Sequence, residues 1–241
     1  MAQADAAEWE ATCEAEHCTF EHMGMYKVMP RPQGRKVVGS KWVFRIKCSP
    51  DSAIQKYKAH VIAQGFTQIE SVDYDEMFAP VAKFASLHVI LALATECNLE
   101  VQQMDVKSAY LNGELKEEIF MEAPPSFEIP AGLVLHLIKA VYGTKQGGRV
   151  WYEEIRDKLS SMDYQHTEAD HMVFMCTRNS ALSILTLYVD NITMVSEDLE
   201  TIHQDKAALR KSYEMTDLGD ISWILGMHVT CNRDAGWIAI F

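Results

Sequence analysis

The chain has 241 residues, 48% hydrophobic and 23% charged, a composition that excludes a disordered tail or a collagen-like fibre. Its 22 Lys and Arg against 34 Asp and Glu give a formal net charge of −12, which argues against a nucleic-acid partner unless the charge is segregated. It is segregated: residues 1–26 carry six acids and no Lys or Arg, whereas residues 27–58 carry nine bases and one acid, Asp51. Two readings of the basic stretch stand open, a solvated face of alternating strands and a surface that grips phosphate.

The first residues lack the apolar core of a secretion signal. The longest apolar run, around Val89–Ala94, is far short of the ~20 residues of a membrane span. Six irregularly spaced cysteines (13, 18, 48, 97, 176, 231) therefore read as reduced thiols of an intracellular protein. Residues 5–23 read as an acidic amphipathic helix packing through Trp9, Cys13 and Phe20. Within it Cys13, His17, Cys18 and His22 have the composition of a zinc site, but at 100° per residue they point to roughly 0°, 40°, 140° and 180° and cannot converge on one ion.

Tyr26–Val28 is short and extended, and Pro30-Arg-Pro-Gln-Gly34 breaks the chain. Alternation predicts a strand over Lys36–Lys47, a turn at Ser49-Pro-Asp-Ser52 and a return strand over Gln55–Phe66, together a basic hairpin. Ser86 can cap a helix running to Cys97, with Val89, Leu91, Leu93 and Ala94 on its apolar face. Glu100–Val106 is extended, and Ile119–Met121 and Leu133–Ile138 are short strands. Arg149–Met162 has helical spacing through Trp151, Ile155, Leu159 and Met162. Strands Val173–Cys176 and Leu182–Val189 follow, then Ile192–Val195 after an Asp190-Asn191 hairpin signal. A helix over Leu199–Tyr213 and strands at Trp223–Val229 and Trp237–Ile240 complete the chain. This order predicts an α+β domain with a mostly antiparallel sheet and helices on one face.

Asp105 ends an extended segment and Asp190 sits at a hairpin tip. Carboxylates brought together at adjacent strand ends can hold one or two Mg²⁺ ions, the device of nucleotidyl transfer. Read alone, Asp190 is more readily an ordinary turn residue, since Asp is common in such turns.

An ordered set of segments resembles the reverse transcriptase of copia-type LTR retrotransposons. They are Lys41-Trp-Val-Phe44; Tyr57-Lys-Ala59 with Gln64-Gly-Phe-Thr-Gln68; Val72-Asp-Tyr-Asp75 with Phe78-Ala-Pro-Val-Ala-Lys83; Gln103-Met-Asp-Val-Lys107 with Ala109-Tyr-Leu111; Tyr142-Gly143 with Lys145-Gln146 and Trp151-Tyr152; Ala169-Asp-His171; Tyr188-Val-Asp190; and Leu225-Gly226. The resemblance implies a right-hand polymerase fold with a fingers hairpin, a ferredoxin-like palm and a partial thumb. It implies one domain over 1–241: N-terminal helix and basic fingers in 8–84, mainly palm in 85–196, and palm helix with a primer-grip-like hairpin in 197–241. Protease, integrase and RNase H parts are not expected.

The resemblance further implies roles. Asp105 and Asp190 would ligate a pair of Mg²⁺ ions, with Mn²⁺ as a substitute. Tyr110 would be the steric gate that admits dNTP over NTP. Lys58 and His60 would face the triphosphate, Gln146 the incoming nucleotide and template, and Gly147 and Gly148 would permit close approach. Leu225 and Gly226 would sit in the primer grip. Lys206 and Lys211 are general acids by position only and otherwise surface helix residues. The implied partners are an RNA or DNA template with primer, and dNTPs; no membrane is implied, the oligomeric state is open, and the setting is a cytoplasmic retrotransposon particle.

Three residues depart from the family pattern: Asn191 for the second Asp of the Tyr-Val-Asp-Asp box, His60 for Arg, and Met77 for Thr. Each is a single transition at codon level, as cytosine deamination of a decaying copy would produce. Asn191 retains size and hydrogen bonding but loses a charge the metal pair needs. A weakened or inactive copy, acting at most as a primer–template binding module, is therefore the alternative to an active polymerase. A template-independent metal phosphohydrolase is a third reading.

Overall fold

The computed structural model describes residues 5–48, 52–178 and 181–241, so the predicted turn at Ser49–Asp51 lies outside the described residues. In chain order the elements are α1 (Ala6–His22), β1 (Tyr26–Pro30), β2 (Val37–Val38), β3 (Ser40–Cys48), β4 (Ile54–Ala63), α2 (Phe84–Glu96), β5 (Glu100–Val106), β6 (Glu114–Met121), β7 (Leu133–Lys139), α3 (Gly147–Ser160), β8 (Gln165–His166), β9 (Val173–Arg178), β10 (Ala181–Tyr188), β11 (Asn191–Ser196), α4 (Leu199–Arg210), β12 (Met215–Asp220), β13 (Trp223–Ile224), β14 (Met227–Asn232) and β15 (Trp237–Ile240). The architecture is α+β. Two compact units share the chain: residues through Phe78 with Tyr110–Trp151, and Ala79–Ala109 with Tyr152–Phe241.

In the first unit, a four-stranded sheet has the order β1-β7-β6-β2, with only the β6–β2 pair parallel. Strands β3 and β4 form a separate antiparallel hairpin. The strand predicted over Lys36–Lys47 is thus two. Val37 and Val38 pair with Phe120 and Met121, and the chain redirects at Gly39, whose carbonyl accepts the Gln64 N–H at 2.7 Å. Helix α1 packs on the hairpin through Trp9, edge-on to Phe44 (5.1 Å) and Tyr57 (4.7 Å). Phe20, Met25, Val61, Leu111, Ile119 and Leu135 lie in one buried cluster beneath it.

The hairpin register resolves the basic segment. Residues directly opposite in an antiparallel pair share a face. Arg45 faces Lys58, Lys47 faces Lys56 and Val43 faces His60, so the bases gather on one side. The opposite side carries Trp42, Phe44 and Ile46 against Val61, Ala59 and Tyr57. Two like-signed pairs stacked along one hairpin oppose its folding, and the sequence pattern does not disclose that register.

In the second unit, a six-stranded antiparallel sheet has the order β12-β5-β11-β10-β9-β8, beside a three-stranded sheet β13-β14-β15. Alternation along β5 separates Val101, Gln103 and Asp105 from Gln102, Met104 and Val106. Helix α2 buries Leu87, Ile90, Leu91 and Ala94 with Val101, Ile184 and Val195 on the first of these faces. Helix α4 lies on the other, where Lys206 reaches Gln102. The helices therefore cover both faces, not the one face predicted. Val89, predicted as core, is exposed, because the buried stripe of α2 runs through Leu87, Ile90, Leu91 and Ala94. Among the described residues no helix is long and apolar enough to cross a membrane.

The start of α2 corrects a second expectation. Its N-cap position is Lys83, and Ser86 lies inside the first turn. The acceptor comes from a distant segment: Asp170, 4% exposed, takes hydrogen bonds from Lys83 N–H (2.8 Å), Ser86 Oγ (2.7 Å) and Met172 N–H (3.0 Å). Burial opposes the Asp170 charge, but the Ser86 and backbone donors and the Lys83 charge outweigh it and hold its pKa below the ordinary value. A lowered native pKa contributes stability above the unfolded-state value, lost as pH falls through the native one. Asp170→Ala is expected to lose about 2–3 kcal/mol at pH 7. In urea titrations the gap to the parent should narrow below about pH 4.

Candidate active site

The site in the second unit is built by three strands. Strands β5 and β11 are buried on both faces, with Met104, Val106, Ile192 and Met194 on one and Val101 and Val195 on the other, and they pair in one antiparallel register. That register sets Asp105 directly opposite Asn191 on one side and Thr216 of β12 on the other. The Val106 N–H donates to the Asp190 carbonyl at 2.7 Å, which ties the hairpin tip to the end of β5. Asp105, Asp190 and Asn191 are all half-buried. The Asn191 Nδ2 donates to Asp190 Oδ1 at 3.0 Å; a carboxylate only accepts, so the amide must present its N–H there.

The β10–β11 turn differs by one residue from the sequence expectation. Tyr188 pairs with Asn191, so the two central residues are Val189 and Asp190, and Asn191 opens β11. Val189 has φ 58°, the left-handed region that a β-branched residue rarely enters and where such turns take glycine. Strain of this kind costs roughly 1–3 kcal/mol and persists where the surroundings over-determine it. Here the β5–β11 ladder on one side and β9–β10 on the other hold both arms of the hairpin.

A cleft of about 20 Å³ reaches Asn191 and is lined also by Lys83, Ser86, Tyr188, Ile224 and Leu225. The strand predicted over Trp223–Val229 is a tight hairpin instead. Leu225 and Gly226 are its two central residues, at φ 52° and 82°, and Ile224 pairs with Met227. The turn thus presents Leu225 to the same cleft as Asn191. Lys206 is not a surface residue. It is 2% exposed, on the face opposite Asp105, with Nζ donating to Gln102 Oε1 (2.5 Å) and Asp217 (2.6 Å). That makes it a structural tie between α4, β5 and the edge strand β12, while Lys211 is exposed at the end of α4.

The remaining sequence candidates lie in the first unit. Lys58 is on the basic face opposite Arg45. His60 Nδ1 lies 3.2 Å from Glu16 Oε1, a buried carboxylate of α1 that also accepts the Val61 N–H at 3.3 Å. His60 therefore ties α1 to the hairpin. Tyr110 packs edge-on to Tyr142 at 5.3 Å. Gln146 is 1% exposed: its Nε2 donates to the Asp73 carbonyl (2.9 Å) and its Oε1 accepts from Gln68 (3.1 Å). Its amide holds the 68–73 loop from within. Gln68 also accepts the Lys145 N–H at 2.7 Å, so the loop is tied at two points. Reading motifs without a register missed Glu16, Gln68, Asp73 and Asp170; Gln68, Asp73 and Asp170 lie within the quoted motifs.

Asp105 and Asp190 offer anionic oxygens at neighbouring strand ends, the donor chemistry of a hard divalent cation. Among the described residues no group of three or more His, Cys, Asp or Glu side chains could hold an ion, and the third polar group here, Asn191, is neutral.

The chain is 40% identical over 219 residues to the retrovirus-related Pol polyprotein from transposon TNT 1-94 of Nicotiana tabacum, covering 89% of this chain and 16% of the relative. It is 32% and 31% identical over 202 residues to the retrovirus-related Pol polyproteins from transposons RE2 and RE1 of Arabidopsis thaliana, covering 83% of this chain and 14% of each relative. The chain thus spans about a seventh to a sixth of these polyproteins. The family model described as reverse transcriptase (RNA-dependent DNA polymerase) matches residues 23–241, and the chain belongs to that family.

Proposed function

We propose that this chain is the RNA-directed DNA polymerase of a copia-type retrotransposon, adding dNMP to a primer 3′-hydroxyl against an RNA or DNA template. The observation that carries the proposal is the ladder that brings Asp105 and Asp190 to neighbouring strand ends in a chain of this family. On this reading the protein has a right-hand polymerase fold. The six-stranded sheet serves as palm, the β3–β4 hairpin as fingers, and the Leu225-Gly226 hairpin as primer grip. It acts in the cytoplasm, within the particle of its element.

Asp105 and Asp190 would hold the divalent metal, Mg²⁺ or Mn²⁺, which when bound lowers the pKa of the attacking hydroxyl and neutralises the leaving pyrophosphate. Tyr110 places a ring where a 2′-hydroxyl would clash, and Lys58 supplies charge to the triphosphate. Gln146 acts as a positioning residue through the 68–73 loop. His60 contributes through its contact with Glu16 of α1. No side chain serves as a covalent nucleophile, since the primer hydroxyl attacks.

The basic face of β3–β4 supports the nucleic-acid part of this reading. Like charges directly opposite cost a hairpin stability, and a polyanion repays that cost. Arg45→Glu, which sets opposite charges across from each other, is expected to raise folding stability by up to ~1 kcal/mol. In the same protein the slope of log affinity for primer–template against log salt should fall by roughly one. Unchanged salt dependence would separate this face from the nucleic acid.

The reading is tested by dTTP incorporation that requires both poly(rA) and oligo(dT) and that Asp105→Asn removes. Nucleotide hydrolysis without template would instead indicate a phosphohydrolase. Asn191 favours one second reading, a template-binding module without turnover, whose signature is salt-sensitive primer–template binding with no incorporation.

A further inference from the structure

Helix α1 precedes residue 23, where the match to the family begins, and it builds a cleft that the polymerase reading does not use. The cleft has a volume of about 630 Å³ and lies between α1, β3 and the 125–128 loop, within the size range of ligand pockets. Trp9, Trp42 and Phe44 form its aromatic wall. The rings brace one another: Trp9 is edge-on to Phe44 at 5.1 Å and Trp42 is stacked on Phe44 at 6.2 Å. The Trp42 indole N–H donates to the Pro125 carbonyl at 2.7 Å, which fixes the ring before any ligand arrives. Three exposed carboxylates also line the cleft, Glu10 and Glu14 one turn apart on α1 and Glu128 on the loop. Trp42 and Phe44 occupy the face of β3 opposite Arg45 and Lys47, so the basic side chains do not share this wall.

We propose that this cleft binds an arginine or lysine side chain presented by a basic segment of a partner polypeptide. A cation over aromatic faces is attracted by the ring quadrupole, most strongly over Trp. Glu10 and Glu14 repel each other on successive turns, and a bound cation would relieve that repulsion. An anion would meet three carboxylates, and a neutral apolar ligand would leave them desolvated without a partner. The site is independent of Asp105 and Asp190, so its failure and that of the polymerase assignment are separable.

The test uses the full chain and a fluorescently labelled peptide, Gly-Arg-Gly-Arg-Gly, followed by anisotropy, with the isosteric citrulline peptide as the neutral control. Saturable binding of the arginine peptide, at least about tenfold tighter than the citrulline peptide, is expected. A protein carrying E10Q, E14Q and E128Q should lose about tenfold in affinity, and so should Phe44→Ser, while Arg45→Glu on the opposite face should not weaken binding. Equal binding of both peptides, or unchanged affinity in the triple-Gln protein, would overturn the assignment. Self-association without peptide that the triple-Gln protein loses would make a second copy the occupant, and would equally overturn it.

Discussion

Asn191→Asp is expected to raise kcat for template-directed dTTP incorporation by about 10²–10³-fold, the equivalent of roughly 3–4 kcal/mol of transition-state stabilisation. The amide itself matters as well as the missing charge. Asn191 donates a hydrogen bond to Asp190 Oδ1, so one of the oxygens that would ligate a cation already has a partner. Aspartate at 191 removes that donor, frees the oxygen and supplies a third anion directly opposite Asp105. Three carboxylates at one strand end repel one another until a cation joins them. The same substitution should therefore lower the melting temperature in EDTA and make it rise with millimolar Mg²⁺, whereas the parent should respond less. A variant that gains metal-dependent stability without gaining incorporation would place the catalytic defect elsewhere in the chain.

Gly65→Ala is expected to be strongly destabilising. A Cβ at Gly65 would lie 2.0 Å from the Gly143 carbonyl oxygen, and a Cβ at Gly143 would lie 2.3 Å from the Ala63 carbonyl oxygen. Both obstacles are backbone, in a region locked by the Ala63 N–H to Tyr142 carbonyl hydrogen bond at 2.8 Å, so no side chain can move aside. Gly143 also has φ +87°, which disfavours any side chain there. A loss of about 3–4 kcal/mol, or a fall of about 10 °C in melting temperature, is expected for Gly65→Ala. Gly24→Ala, also at positive φ but with open space around it, should cost only the backbone strain of about 1–2 kcal/mol. The contrast between the two variants separates crowding from conformation.

These glycines show what a sequence discloses and what it withholds. The segments Gln64-Gly65-Phe-Thr-Gln68 and Tyr142-Gly143 are legible as family motifs, but nothing in either shows that Gly65 packs against the Gly143 carbonyl. Local signals served the site strands well. Glu100–Val106 forms the strand its extended pattern predicts, and its register sets Asp105 opposite Asn191, the residue after Asp190. Long-range partners were beyond reach. Ser86 has the chemistry of a cap, but Asp170 supplies the acceptor from 84 residues away in sequence. Lys206 looks like any surface helix lysine until β5 and β12 close over it. The edge strand β12 (Met215–Asp220) lacks an alternating pattern and carries a register shift between Asp217 and Gly219, so no periodicity announces it. The basic segment was visible as charge, but its concentration on one face followed only from the hairpin register.

The central claim is that this chain carries template-directed nucleotidyl transfer on the Asp105–Asp190 pair. The most direct measurement is primer extension on poly(rA)–oligo(dT) with dTTP and Mg²⁺, comparing the parent, Asn191→Asp, and Asn191→Asp combined with Asp105→Asn. Ladder-like extension in Asn191→Asp, reduced in the parent and absent in the double variant, is the predicted result. Extension that survives Asp105→Asn, or folded Asn191→Asp protein that binds primer–template and extends nothing, would contradict it.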